Sequence, residues 1–183
     1  MSPTHRRYLL LEQGIGSGVF NFALNAVIAW LMFRTADEVP LWGRRSIAAD
    51  TIGTSLILPL MTCLIVTPVV RRHVRAGKVA WLGWTRESHA PLGWLPRGTF
   101  ARALVIGLVC MAALSPLTLL VVTWLHVESL SLSRFVLFKA TFAALEALVV
   151  TPLVALWAIA EAPEAGKAAA PARRRAASSN LFH

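Results

Sequence analysis

The stretch FVLFKATFAALEALVVTPLVALWAIA, Phe135 to Ala160, decides the fold: it is long enough to cross a bilayer, and it carries a carboxylate, Glu146, near its middle. About 20 apolar residues span a hydrocarbon core. An acid at that depth costs several kcal/mol unless it is paired, protonated or wetted, so an intramembrane acid marks a functional site by default. Three further runs meet the same length requirement: Gly14 to Phe33, Ile52 to Val70 and Ala103 to Leu125. The composition agrees, since 56% hydrophobic and 15% charged residues leave too little polar surface for a soluble domain of 183 residues. The sequence therefore predicts an all-α, four-helix transmembrane bundle. His5, Arg6 and Arg7 precede the first run. Its length exceeds a signal-peptide core of about 7 to 15 residues, so it reads as an uncleaved anchor.

The net charge of +9 is distributed as a membrane topology rather than as a nucleic-acid footprint. Arg6 and Arg7 precede the first span; Arg71, Arg72, Arg75, Lys78, Arg86, Arg97 and Arg102 separate the second and third; Lys167 and Arg173 to Arg175 follow the fourth. The other two loops balance Arg44 and Arg45 with Asp37, Glu38 and Asp50, and Glu128 with Arg134. The positive-inside rule then places both termini and the central loop in the cytoplasm of an inner (plasma) membrane protein. The divisions expected are a cytoplasmic N-terminus (1–13), a first transmembrane hairpin (14–70), a Trp- and Arg-rich interfacial loop (71–102), a second hairpin (103–160) and a basic cytoplasmic tail without fixed structure (161–183). The basic loop and tail suit anionic lipid, and no nucleic-acid partner is expected. The Thr67-Pro68-Val69-Val70-Arg71-Arg72 end of the second span is similar to helix ends in two-helix bacterial inner-membrane proteins, a resemblance that implies no activity.

An internal repeat organises the chain. Leu64 to Val70 (LIVTPVV) matches Leu148 to Val154 (LVVTPLV) at five of seven positions, 84 residues apart. Such spacing predicts two duplicated helical hairpins related by a pseudo-axis along the membrane normal, a parallel repeat of the kind found in transporters. Pro68 and Pro152 remove the amide bonds to the carbonyls of Leu64 and Leu148, and Thr67 and Thr151 stand beside them as hinge or kink residues whose hydroxyls could cover the freed acceptors. Within the alignment Thr62 and Glu146 occupy the same position. Asn25, Thr62, Ser115 and Glu146 all lie near the centres of their spans, within ~3 Å of the midplane.

On the first span Gly14, Gly18, Asn21 and Asn25 share one face, and Gly14-x-x-x-Gly18 permits close helix packing within the bundle or in a homodimer. That face is expected to look toward Glu146. Lys139, about one turn inside the fourth span, is expected to snorkel to the interface. Trp30, Trp42 and Trp124 mark one membrane surface, and Trp81, Trp84, Trp94 and Trp157 the other.

Several chemistries lack their residues. Cys63 and Cys110 fall inside spans with no Cys-x-x-Cys or Cys/His set, so neither a structural disulfide nor a metal site is expected. No two histidines share a depth within the spans, which excludes a bis-histidine haem, and no cofactor is expected. A nucleophile, base and metal set does not converge at either interface, so enzymatic activity is not expected. The leading expectation is a permease-like protein in which Glu146 is a protonatable site, helped by Asn21, Asn25, Thr62 and Ser115, that exchanges protons or binds a small solute. The alternative is a non-transporting membrane scaffold whose contact surfaces are the Trp-rich loop, Trp81 to Trp94, and the basic tail.

Overall fold

The computed structural model describes residues 7–80, 96 and 98–162. Four long helices carry almost all of this chain: α1 (Tyr8–Phe33), α2 (Ile47–Arg75), α3 (Thr99–Trp124) and α4 (Leu132–Ala160), each long and apolar enough to cross a membrane. A two-stranded antiparallel ribbon, β1 (Glu38–Pro40) with β2 (Ser129–Ser131), joins the ends of α1 and α3, pairing Val39 with Leu130 at its centre. The bundle thus has a strand end and, opposite, a basic end where the arginine-rich segments emerge.

The helices outrun the apolar stretches that announce them. At 29 residues, α2 and α4 each reach about 43 Å, well beyond the ~30 Å hydrocarbon core. The extension of α2 is set by Ser46, whose side chain accepts a hydrogen bond from the Ala49 amide at 3.1 Å and so caps a helix that begins at Ile47, five residues before the apolar run at Ile52. The first turns of α1, Tyr8–Ile15, are π-helical and bring Tyr8 Oη to 3.2 Å from His73 Nδ1 on α2.

α4 is the central helix, with half of its apolar window buried inside the protein against 17–28% for the others. Its buried face runs through Ala140, Ala143, Ala147, Val150, Val154 and Ala158, small residues at three- and four-residue spacing that let neighbours approach closely. α1 and α2 pack along α4, and α3 packs along α2. The two helices of each hairpin, α1 with α2 and α3 with α4, share little contact, and a groove lies between each of these pairs.

Glycine sets the two outer contacts. On α1, a Cβ at Gly18 would stand 3.5 Å from the Ala144 carbonyl oxygen, and one at Gly14 would meet the Pro152 ring at 3.5 Å. The Gly14–Gly18 seam therefore packs inside the bundle, against α4 at its proline break. The α3–α2 contact is tighter, for a Cβ at Gly107 would lie 2.8 Å from the Leu56 carbonyl oxygen. Gly107→Leu is expected to destabilise the bundle by about 1–3 kcal/mol, because backbone on α2 cannot swing aside as a side-chain tip would. Thermal unfolding in detergent measures this, with Gly53→Ala, where nothing lies within 4 Å of the added Cβ, as the neutral control.

Each end is closed by its own cluster. At the strand end the Phe33 and Phe135 rings meet at a tilt of 59° with their centres 4.6 Å apart, and Val39, Leu41 and Ile47 pack around them. At the basic end Arg102 is 2% exposed and donates to Glu161 Oε2 at 2.5 Å, while Arg71 reaches the same oxygen at 3.1 Å. Glu161, counted with the unstructured tail in the sequence, is ordered and ties the end of α2, the start of α3 and the end of α4 together. Removing this carboxylate leaves two arginines facing each other, one of them buried. Glu161→Ala is accordingly expected to lower stability by about 3 kcal/mol, read by chemical denaturation.

Candidate functional site

Two grooves run along the bundle and share no lining residue. The first, about 630 Å³, lies between α1 and α2 with Lys139 and Thr151 of α4 reaching into it. Asn21, Asn25 and Thr62 all line it, together with Thr54 and Asp50. The second, about 600 Å³, lies between α3 and α4. Among the described residues Glu146 is the one charged residue that lines it, beside Cys110, Thr118, Phe142, Trp157 and aliphatic side chains. The four helices thus bring the asparagines and Thr62 together but set Glu146 apart from them, and the α1 glycine face looks onto Ala144 and Leu148 of α4 rather than onto the acid.

Glu146 stands at the midpoint of α4, 14 residues from either end, or about 21 Å along the axis. It is 4% exposed, and neither carboxylate oxygen has a hydrogen-bond partner among the described residues. The small-residue face of α4 explains the burial: Ala143 and Ala147 flank the acid in sequence and draw the helix against its neighbours. Thr62, its counterpart in the sequence repeat, is half-buried in the other groove.

The asparagines are satisfied locally. Asn21 Nδ2 donates to the Ser17 carbonyl at 2.9 Å and Asn25 Nδ2 to the Asn21 carbonyl at 3.0 Å, each one turn back on the same helix. Ser17 itself links two helices, since its hydroxyl lies 3.0 Å from the Gly14 carbonyl and 3.3 Å from that of Ala147 on α4. Ser115 is buried beside Pro116, and its hydroxyl has no partner among the described residues.

The threonines beside the prolines do not cover the freed carbonyls. Thr67 Oγ1 contacts Cys63 Sγ at 3.8 Å, and the buried Thr151 hydroxyl has no partner among the described residues. The Leu148 carbonyl, freed by Pro152, faces Gly14 of α1 instead.

The largest departure from the sequence reading is Lys139. Instead of snorkelling, it is 4% exposed and forms a salt bridge with Asp50 across the α2–α4 contact. Asp50 had counted as a loop charge because the second apolar run begins after it. The signal that places it is Ser46, a capping residue that starts the helix early and turns Asp50 into a first-turn acid facing the bundle.

No group of three histidine, cysteine or acidic side chains is placed to hold a metal ion among the described residues. Trp81 to Trp94 and most of the basic tail lie outside the described residues. Set against protein-family models, curated proteins and solved structures, the chain has no match.

Proposed function

We propose that this is a small permease-like membrane protein in which Glu146 receives a lipophilic cation, in exchange with a proton, through the groove between α3 and α4. The observation that carries this reading is Glu146 itself: buried at mid-span, its carboxylate without a hydrogen-bond partner among the described residues, in the wall of an apolar cavity of about 600 Å³. A carboxylate left alone at this depth costs several kcal/mol, and a bound proton or cation offsets that cost. A cation with apolar flesh suits the walls, and the aromatic residues Phe142 and Trp157 among them add ring systems that attract cations. Small inorganic cations suit them poorly, since the groove presents few oxygens to replace their hydration.

The arrangement of the helices supports the duplicated-hairpin reading. α1 lies on α4 as α3 lies on α2, and the aligned positions Thr62 and Glu146 each line the groove of their own hairpin. In such a pair of related grooves, one keeps an acid and the other a hydroxyl. The bacterial inner membrane, with both termini and the basic end cytoplasmic, is the setting that the charge distribution favours.

Uptake of ethidium into proteoliposomes under an imposed proton gradient tests the proposal. Wild-type protein is expected to accumulate the dye and Glu146→Gln to behave as empty liposomes do. Equal uptake by both proteins, or none above empty liposomes for the wild type, would reject it.

A further inference from the structure

The groove between α1 and α2 has chemistry that the Glu146 reading does not use. Its mouth, at the strand end, is lined by Arg44, Arg45 and Ser46. Both arginines are exposed, and neither makes a salt bridge or hydrogen bond among the described residues. They sit directly before the N-terminus of α2, whose partial positive charge adds to theirs. The cation nearest in the groove, Lys139, is neutralised by Asp50, so the free positive charge is confined to the mouth.

Inward from there the walls turn apolar. Leu24, Ile28 and Met32 of α1 face Ile57, Met61 and Ile65 of α2. From Ser46 to Ile65 the groove follows α2 for about 28 Å, more than the ~15 Å depth of one leaflet. Ile57 and Ile65 are 58% and 61% exposed, so the groove opens sideways to surrounding lipid along its length. Inside it the asparagine amides donate to their own helix and the Lys139 ammonium is paired, so no free cation lies below the mouth among the described residues.

We propose that this groove holds an anionic phospholipid, with its phosphate on Arg44 and Arg45 and one acyl chain laid between α1 and α2. Charge and shape select the occupant together. Two free arginines and a helix N-terminus demand an anion at headgroup level, and a long lateral apolar trough below them demands a chain attached to it. The site lies at the opposite end of the bundle from the basic loop. It is independent of Glu146.

Native mass spectrometry of the detergent-purified protein, titrated with phosphatidylglycerol and with phosphatidylcholine of the same chains, tests the assignment. One phosphatidylglycerol is expected to be retained at about tenfold or greater preference, since each arginine near a membrane surface contributes a severalfold gain. The double variant Arg44→Gln/Arg45→Gln is expected to abolish the preference. Ile57→Trp, which fills the trough without touching the arginines, is expected to weaken retention of both lipids, while Glu146→Gln leaves retention unchanged. A melting temperature equal to wild type qualifies each variant. Equal retention of the two lipids, an unchanged double variant, or displacement of the lipid by equimolar glycerol phosphate would overturn the proposal, the last by showing that the arginines take a soluble phosphate.

Discussion

Lys139→Met lowers the stability of the folded bundle by about 3–5 kcal/mol, the largest single loss expected in this protein. The reason is asymmetry. Lys139 and Asp50 bury their charges together, and the paired state contributes little net stability because desolvation offsets most of the attraction. Removing the lysine leaves Asp50 with no counter-ion in a helix contact, and the full desolvation cost then appears. At about 2–4 °C per kcal/mol for a chain of this size, the melting temperature falls by roughly 10 °C. The double variant Asp50→Leu/Lys139→Met recovers most of that loss, since it removes both charges and keeps the volume. Thermal unfolding of wild type, Asp50→Leu, Lys139→Met and the double variant in one detergent gives the coupling directly. A Lys139→Met protein that melts like wild type would mean that the lysine reaches water and that the pair is incidental.

Glu146 behaves in the opposite sense. It has no partner to lose among the described residues, so Glu146→Leu is expected to raise stability while it ends function, the mark of a group retained for chemistry rather than packing. Binding of a lipophilic cation falls by about thirtyfold or more in Glu146→Gln, because losing the partner of a desolvated charge costs at least ~2 kcal/mol and every 1.4 kcal/mol is tenfold. Thr62→Ala, in the other groove, leaves that affinity unchanged. Equilibrium dialysis of tetraphenylphosphonium against purified protein reads both. A Glu146→Leu protein that is less stable than wild type would make the acid a structural element, and the permease reading would lose its support.

The helices were legible in the sequence because a bilayer demands length and apolarity, and both can be counted along the chain. Depth was legible for the same reason: 1.5 Å per residue places Glu146 at mid-span whatever its neighbours do. Rotation was not. Asn25 and Glu146 share a depth, yet the α1 face that carries the glycines and asparagines meets α4 at Ala144 and Leu148 and borders the α1–α2 groove, whereas Glu146 lines the other groove. The Gly14–Gly18 seam announced a close contact without naming its partner helix, which is set by the small-residue face of α4 and the gap at Pro152.

Hydropathy also hid the ion pair. Asp50 ended the apolar count for α2, whereas the capping Ser46 fixes where the helix begins, and a buried acid then needs a cation at the same depth on a neighbouring helix. The ribbon was equally silent, because three residues a strand, with Pro40 at one edge, make no alternating pattern.

Transport by the proposed route requires a cation to meet the Glu146 carboxyl in the α3–α4 groove. Infrared difference spectroscopy of the lipid-reconstituted protein, recorded as tetraphenylphosphonium is added at constant pH, observes that group itself. Carboxyl difference bands are predicted to appear on cation binding in the wild type and to vanish in Glu146→Gln. A spectrum with no carboxyl change, or bands that survive in Glu146→Gln, would contradict the account.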